Sequence, residues 1–101
     1  MQKSKLFEVN LEPRVQNDFW EAFLYYDKIS FNLSQNFRNK FDYAIYKLSI
    51  GPYNYLKLTK KLRRIRLGKF PYMLVYKISK QTVTVLGFFH QASRPTKWRR
   101  L

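Results

Sequence analysis

The spacing of apolar residues changes once along this 101-residue chain, at Gly51-Pro52, and that change constrains the fold more than any other feature. Before it, large apolar side chains recur every three or four residues, which is typical of amphipathic helices. After it, β-branched and aromatic residues form short runs that are typical of strands. A chain of this length can bury one modest core but not two. The pattern therefore predicts a single α+β domain over residues 1–101.

One short strand and two helices are predicted in the first half. Leu6–Leu11 is an apolar-rich run compatible with a strand. Glu12-Pro13 then begins a helix to about Lys28, because proline is tolerated at the first helical position. Ser30 or Asn32 can cap the next helix, which should pack against the first as an antiparallel hairpin. The apolar stripes are Val15, Phe19, Phe23, Tyr26 and Ile29 in the first helix and Leu33, Phe37, Phe41, Ile45 and Leu48 in the second.

Three strands are predicted in the second half. Tyr53–Lys61 is predicted as a loop rich in Tyr and Lys, and Leu62–Leu67 as a strand that ends at a Gly68-Lys69 turn. Phe70–Ile78 and Thr82–Phe89 are separated by three turn residues and resemble a hairpin. We therefore expect an N-terminal strand, a helical hairpin, and a three-strand antiparallel meander that completes one sheet. The helices should cover one face of that sheet.

Charge, like the spacing of apolar residues, differs between the two halves of the chain. All six acidic residues lie at or before Asp42, and six Lys or Arg residues balance them there. The other fourteen cations follow Asp42, so the whole net charge of +14 lies in residues 43–101. Such a surface repels itself unless a polyanion or an acidic partner neutralises it. No Asp or Glu side chain of the second half can serve as a base or a metal ligand.

Several classes of protein are excluded by composition. The chain has no apolar run long enough to span a membrane and no apolar segment after the basic N-terminus, so neither a membrane span nor a secretory signal is expected. It has no cysteine, which excludes disulfides and thiolate catalysis, and it has one histidine, so neither a metal site nor a cofactor is expected. The basic residues lie in a strand-like stretch rather than along one helix face, which favours nucleic acid over a membrane surface. We expect a soluble, cytoplasmic domain.

The densest group of cations comprises seven residues within thirteen positions. In a strand, Arg64 and Arg66 lie on one face, and Arg63 and Ile65 on the other. Arg64 and Arg66 together could hold one phosphate, or stabilise the extra charge of a phosphorane. The alternative is a solvated edge strand, since charged edges prevent aggregation between strands. The group consists of Lys57, Lys60, Lys61, Arg63, Arg64, Arg66 and Lys69.

His90 follows the last predicted strand and is the one residue that could act as a general acid or base near neutral pH without special tuning. The alternative is a histidine that is merely satisfied by hydrogen bonds. We expect cations to surround it. Tyr53, Tyr55 and Tyr72 lie near the basic group and could stack on bases, although most aromatic residues of so small a domain should fill the core.

Taken in order, these residues resemble the RelE/ParE superfamily of toxins from bacterial type II toxin–antitoxin systems. The resemblance implies one of two activities. RelE-like members cleave mRNA in the ribosome without a metal, whereas ParE-like members inhibit DNA gyrase without nuclease activity. Both are silenced by a cognate antitoxin, often acidic where it contacts the toxin. The resemblance rests on Tyr25-Tyr26-Asp27, on Arg63-Arg64 before Phe70-Pro71-Tyr72 and Tyr76, and on His90 followed by Pro95 and Trp98.

The first hypothesis is a ribosome-dependent mRNA endoribonuclease whose catalytic residues are Arg64, Arg66 and His90. Against it, Ser93 stands where an arginine often follows the histidine, and no tyrosine comes after His90. A ParE-like gyrase inhibitor and an inert binding module therefore remain as alternatives. We expect RNA to bind on the exposed sheet face and the C-terminal tail. The predicted nucleic-acid-binding residues are Lys57, Lys60, Lys61, Arg63, Lys69, Tyr72, Arg94, Lys97 and Arg99.

Overall fold

The computed structural model describes residues 6–101, and its elements follow the predicted order. Single 3₁₀ turns lie at Pro52–Asn54, which overlaps the start of the predicted loop, and at Pro95–Lys97 in the tail. The first strand is shorter than predicted and the third begins two residues later, because Phe70 and Pro71 belong to the turn. The helices and strands are β1 (Glu8–Leu11), α1 (Pro13–Ile29), α2 (Phe31–Ile50), β2 (Arg63–Arg66), β3 (Tyr72–Ser79) and β4 (Thr82–His90).

The four strands form one mixed sheet in the order β1-β4-β3-β2. β1 pairs in parallel with β4, whereas β2, β3 and β4 form an antiparallel meander. The helical hairpin lies between β1 and β2 in sequence and packs on one face of the sheet through contacts of α1 with β4 and of α2 with β1. The predicted α+β architecture is confirmed.

Ser30 is the joint between the two helices. Its backbone N–H donates to the Tyr26 carbonyl (3.0 Å) and so ends α1. Its side-chain Oγ accepts the N–H of Leu33 (3.0 Å) and so caps α2. Of the two predicted caps, Ser30 and Asn32, the structure therefore uses Ser30. This one-residue connection lets the two helices pack as the predicted antiparallel hairpin.

The main core lies between the helices and the sheet. Its largest stack consists of Phe19 of α1 against Phe37 and Phe41 of α2, with ring centroids 5.4 and 4.5 Å apart. Tyr76 and Val85 come from the sheet and are fully buried. The predicted helical stripes are confirmed except at Ile29, which is 59% exposed. Ile29 is the last residue of α1, where the helical spacing continues but no element covers the side chain.

A second cluster lies on the opposite face of the sheet. Trp98 of the tail packs there on Leu62, Met73 and Val75, together with Leu86 and Leu101. Leu86 is an extra residue in β4, because Val75 pairs with Gly87 while Tyr76 pairs with Val85. We predicted that this face would be exposed and would bind RNA with the tail. The tail instead covers its centre, because Trp98 buries its large ring there rather than in solvent.

Tyr76 supplies the first test of the core. Its hydroxyl donates to the Pro52 carbonyl over 2.6 Å in the buried interior, and burial raises the pKa of this phenol. Tyr76→Phe keeps the ring but leaves the carbonyl without its partner, so the free energy of unfolding should fall by about 1–3 kcal/mol in urea denaturation. Tyr46→Phe is the matched control, because Tyr46 is 57% exposed. Equal unfolding midpoints for the two variants would contradict the role of this bond.

Candidate functional site

β2 is the last strand of the sheet, and a segment of the preceding loop pairs with its outer edge. Arg64 N–H donates to the Leu56 carbonyl (2.9 Å), and Leu58 N–H donates to the Leu62 carbonyl (2.8 Å). Lys57 and Arg63 form an isolated antiparallel bridge between the two segments. The backbone of the cationic strand thus has hydrogen-bond partners on its outer edge. Two concave surfaces lie along this edge.

The first concave surface, which we call the lysine cavity, lies where β2 begins and has a volume of about 420 Å³. The loop supplies three of its lysines, and β3 supplies Lys77, which sequence reasoning did not select. Among the residues that the structure describes, no carboxylate lines it. A cavity whose charged side chains are all cations favours a polyanion. Its principal side chains are Tyr53, Lys57, Lys60, Lys61, Arg63 and Lys77.

Arg63 is already engaged by the protein. Its guanidinium Nη1 donates to the carbonyls of Tyr53 (3.2 Å) and Tyr55 (2.9 Å). The same group lies 5.4 Å from the centroid of the Tyr53 ring, in a cation–π contact. Arg63 therefore ties the loop to β2, and its main contribution to the cavity is to shape the wall. Tyr55 packs partly into the core, whereas Tyr53 is 60% exposed.

The second concave surface, the arginine groove, has a volume of about 450 Å³ and is lined by Lys47, Leu56, Arg64 and Arg66, among others. Arg64 and Arg66 pair with Val75 and Met73, so they share the face that carries the tail, as predicted. Partial burial, and then repulsion from Arg66, lower the pKa of the Arg64 guanidinium. A bound anion would offset both effects, because it neutralises the charge that burial and repulsion disfavour.

His90 lies at the exposed end of β4. It pairs with Tyr72 of β3, and the two rings are 6.0 Å apart in an edge contact. The Nδ1 atom accepts the N–H of Ala92 (3.1 Å), so the neutral ring carries its proton on Nε2. We call the surrounding concave surface, about 530 Å³ in volume, the histidine cleft. It is lined by Asp18, Glu21, Tyr25, Tyr72, His90 and Lys97, among others.

The surroundings of His90 differ from the prediction. We expected cations, but Asp18 and Glu21 of α1 share the cleft with it, because α1 packs against β4. Partial burial, and then repulsion from Glu21, raise the pKa of the Asp18 carboxyl. Tyr72 is half-buried, with its ring 4.8 Å from that of Phe88. Burial, and then a hydrogen bond with Tyr72, raise the pKa of Tyr26 to about 12.

The sheet separates His90 from the arginine pair. Tyr72 and His90 lie on the helix side, where α1 contributes to the same cleft. Arg64 and Arg66 lie on the tail side, opposite Val75 and Met73. β3 stands between β2 and β4, so the two backbones are also about 10 Å apart across the sheet. The three residues predicted as catalytic therefore do not meet in one site.

The comparisons with known proteins agree with this fold. Residues 9–95 match the model of a protein family described as ParE toxin of type II toxin–antitoxin system, parDE. The chain belongs to the ParE toxin family. A solved structure titled as the chromosomal ParDE TA system from P. aeruginosa aligns with a TM-score of 0.72 and 10% identity, covering 86% of this chain and 98% of that chain. No curated protein sequence matches this one.

Membership of the ParE toxin family confirms the predicted RelE/ParE resemblance. The chain is the toxin of a type II toxin–antitoxin module, and such a module implies a cognate antitoxin. No helix within residues 6–101 is both long and apolar enough to cross a membrane. In the same range, no three His, Asp or Glu side chains lie close enough together to hold a metal ion.

The remaining predicted binding residues of this ParE toxin are spread over other surfaces. Lys69 is exposed at the turn after β2 and lines a separate concave surface with Lys40 and Phe70. Arg94 and Arg99 are exposed on the tail. The structure therefore brings Lys57, Lys60, Lys61 and Arg63 together in the lysine cavity, and Tyr72 and Lys97 together in the histidine cleft.

Sequence reasoning missed four residues of these surfaces: Asp18, Glu21, Lys47 and Lys77. One signal was available. Asp18 lies three residues after Val15 and next to Phe19 in the predicted apolar stripe of α1, so helical spacing put it at the border of the packed face. Which strand it meets depends on the strand order, and the sequence pattern does not specify that order.

Arg63 and Lys60 of the ParE toxin differ in whether the side chain stabilises the fold, and mutation of each tests this difference. Arg63→Ala removes two charge-assisted hydrogen bonds to the loop and should lower the free energy of unfolding by about 1.5–3 kcal/mol. Lys60→Ala removes an exposed side chain of the same cavity and should change it by less than about 0.5 kcal/mol. Urea denaturation followed by tryptophan fluorescence measures both. If Arg63→Ala unfolds at the same urea concentration as Lys60→Ala, Arg63 does not hold the loop.

Proposed function

We propose that this ParE-family toxin inhibits DNA gyrase by binding and does not cleave RNA. The observation that carries the proposal is the placement of His90 on the opposite side of the sheet from Arg64 and Arg66. In RNA cleavage, a general acid or base and the group that stabilises the phosphorane act on the same phosphate, each within about 3 Å of an atom that reacts. Residues on two faces of one sheet do not satisfy that requirement.

None of the three concave surfaces combines the histidine with the arginine pair. The histidine cleft contains a candidate acid or base, but Asp18 and Glu21 line it as well, and their carboxylates repel a phosphate. The arginine groove and the lysine cavity attract phosphate, but among the described residues that line them there is no His, Asp or Glu. Binding needs only charge and shape, and both are present along the edge of β2.

Ribosome-dependent mRNA cleavage is the second candidate, and one observation favours it. Arg64 and Arg66 share a groove and repel each other there, which is an arrangement that could stabilise a phosphorane. On this alternative the toxin would bind the ribosome and mRNA and would use a proton donor other than His90, such as a tyrosine or a water molecule.

The cognate antitoxin of this toxin should carry an acidic segment. With a net charge of +14, the chain attracts an anionic partner, and such a partner would relieve its self-repulsion. The lysine cavity and the arginine groove are the surfaces that such a segment fits best, since both present cations without carboxylates. Covering them would also block the surface proposed to bind the target. Because gyrase acts on DNA in the cytoplasm, we propose the same location for the toxin and its antitoxin.

Two assays on the same purified toxin test the proposed function. In a supercoiling assay with gyrase and relaxed plasmid, supercoiling should fall as toxin is added. In a coupled translation reaction, primer extension on a reporter mRNA should show no new 5′ ends. Cleaved reporter mRNA with unimpaired supercoiling would contradict gyrase inhibition and support the second candidate. Unimpaired supercoiling together with intact reporter mRNA would indicate an inert binding module.

A double arginine variant tests which surface acts on gyrase. Arg64→Ala/Arg66→Ala should raise the toxin concentration that halves supercoiling by about tenfold or more, equivalent to about 1.4 kcal/mol of binding. Arg14→Ala/Arg38→Ala removes the same charge from exposed positions of the helices and is the matched control. Equal inhibition by the two double variants would show that net charge alone, and not the arginine groove, is responsible.

A further inference from the structure

We propose that the lysine cavity binds the sugar–phosphate backbone of duplex DNA, so that the toxin recognises gyrase together with the DNA that gyrase holds. This inference rests on the proposed function, because it names a second component of the same target. Five cations line the cavity, and they come from the loop, from β2 and from β3. Its volume of about 420 Å³ lies within the range of ligand sites in proteins.

The cations of the cavity are not neutralised within the protein. Within residues 6–101, the ion pairs join Arg14 to Glu12 and Arg38 to Asp42, and all four residues belong to the first half of the chain. Cations that share a concave surface attract anions strongly, because their electrostatic field is focused between low-dielectric walls. A DNA backbone brings a row of such charges and releases counterions when it binds.

The loop that carries the lysines is ordered before any ligand binds. Thr59 Oγ1 accepts the N–H groups of Lys61 (3.1 Å) and Leu62 (3.0 Å) and so forms a tight turn. The N–H of Thr59 also donates to the Leu62 carbonyl (3.2 Å). Together with the Arg63 bonds to the preceding residues, these contacts fix the backbone positions from which Lys57, Lys60 and Lys61 extend. An ordered loop reduces the entropy lost on binding.

The backbone of β3 adds polar groups to the same cavity. Pairing of β2 with β3 ends at Arg63 and Tyr76, so Lys77–Ser79 have no strand partner on that side among the described residues. Leu67 N–H donates to the Tyr72 carbonyl, and alternation along β3 therefore directs the N–H of Ile78 toward the same open side. Ile78 lines the cavity. Backbone N–H groups and lysines are common ligands of DNA phosphates.

The edge of β2 fits a row of phosphates better than a single small anion. From Arg63 to Arg66 the strand extends about 10 Å, a length over which its side chains can meet more than one phosphate of a DNA strand. The lysine cavity lies at one end of this length and the arginine groove lies along it. The Arg63 guanidinium lies over the Tyr53 ring, so one face of that ring is not free to stack on a base. We therefore expect binding without strong sequence preference.

Binding of the whole toxin to a short fluorescein-labelled DNA duplex, followed by fluorescence anisotropy, tests this inference. Lys60→Ala/Lys61→Ala should weaken binding about tenfold and reduce the slope of log K against log salt by about 2, since each phosphate contact contributes about 1. Both lysines are exposed, so the fold should be retained, and urea denaturation checks this. The matched control, Arg14→Ala/Arg38→Ala, should change the affinity by less than about threefold and leave the slope unaltered.

Two outcomes would overturn the inference. If the cavity variant and the control lose the same affinity and the same salt slope, the lysine cavity is not the site. If a single-stranded RNA of equal length binds wild-type toxin more tightly than the duplex and shows the same loss with Lys60→Ala/Lys61→Ala, the cavity takes RNA and not DNA. Supercoiling by gyrase with wild-type toxin tests the proposed function separately. A failure of gyrase inhibition can therefore be distinguished from a failure of DNA binding by the lysine cavity.

Discussion

The parallel pairing of β1 with β4 is the constraint on which the rest of this structure depends. It places the first strand beside the last one, so the helical hairpin that follows β1 must cover the β1–β4 side of the sheet. The meander then begins with β2, the most cationic strand, at the opposite edge of the sheet and returns through β3 to β4 beside β1. The same pairing brings α1 over the end of β4 and sets Asp18 and Glu21 beside His90.

Charge and packing are divided between the two halves of the chain. Residues 1–42, which include most of the two helices, are formally neutral, and the helices provide the aromatic stack of the main core. The sheet half contributes buried apolar residues to both faces but carries its cations on the outer edge and tail. Self-repulsion among those cations is weakened by solvent and salt, and burial of two apolar clusters outweighs it. The edge is therefore a stable surface of one sign, suited to an anionic partner.

Much of the fold could be predicted from the sequence, because it depends on local patterns. The spacing of Phe19, Phe37 and Phe41 indicated the packed helix faces, and Ser30 was one of two predicted caps. Ile29 followed the same helical spacing yet is exposed, since periodicity does not say where the covering element ends. The burial of Trp98 on the tail side could not be predicted either, because it depends on where the tail folds back.

The candidate site was less predictable than the fold. Alternation along a strand placed Arg64 and Arg66 on one face correctly. The role of Arg63 in holding the loop was missed, because it depends on the position of the Tyr53 and Tyr55 carbonyls. The carboxylates near His90 were missed because the strand order, and not the sequence pattern, brings α1 to β4. His90 belongs to the half of the chain that has no acidic residues, yet its acidic neighbours come from the other half.

A double-mutant cycle between Arg64 and His90 tests the separation of the two surfaces most directly. The measurement is the toxin concentration that halves supercoiling by gyrase, for wild type, Arg64→Ala, His90→Ala and the double variant. Residues on opposite faces act independently, so the two fold-changes should multiply, with a coupling energy below about 0.5 kcal/mol. A coupling of about 1.4 kcal/mol or more, which is a tenfold departure from the product, would place both residues in one site and contradict this interpretation.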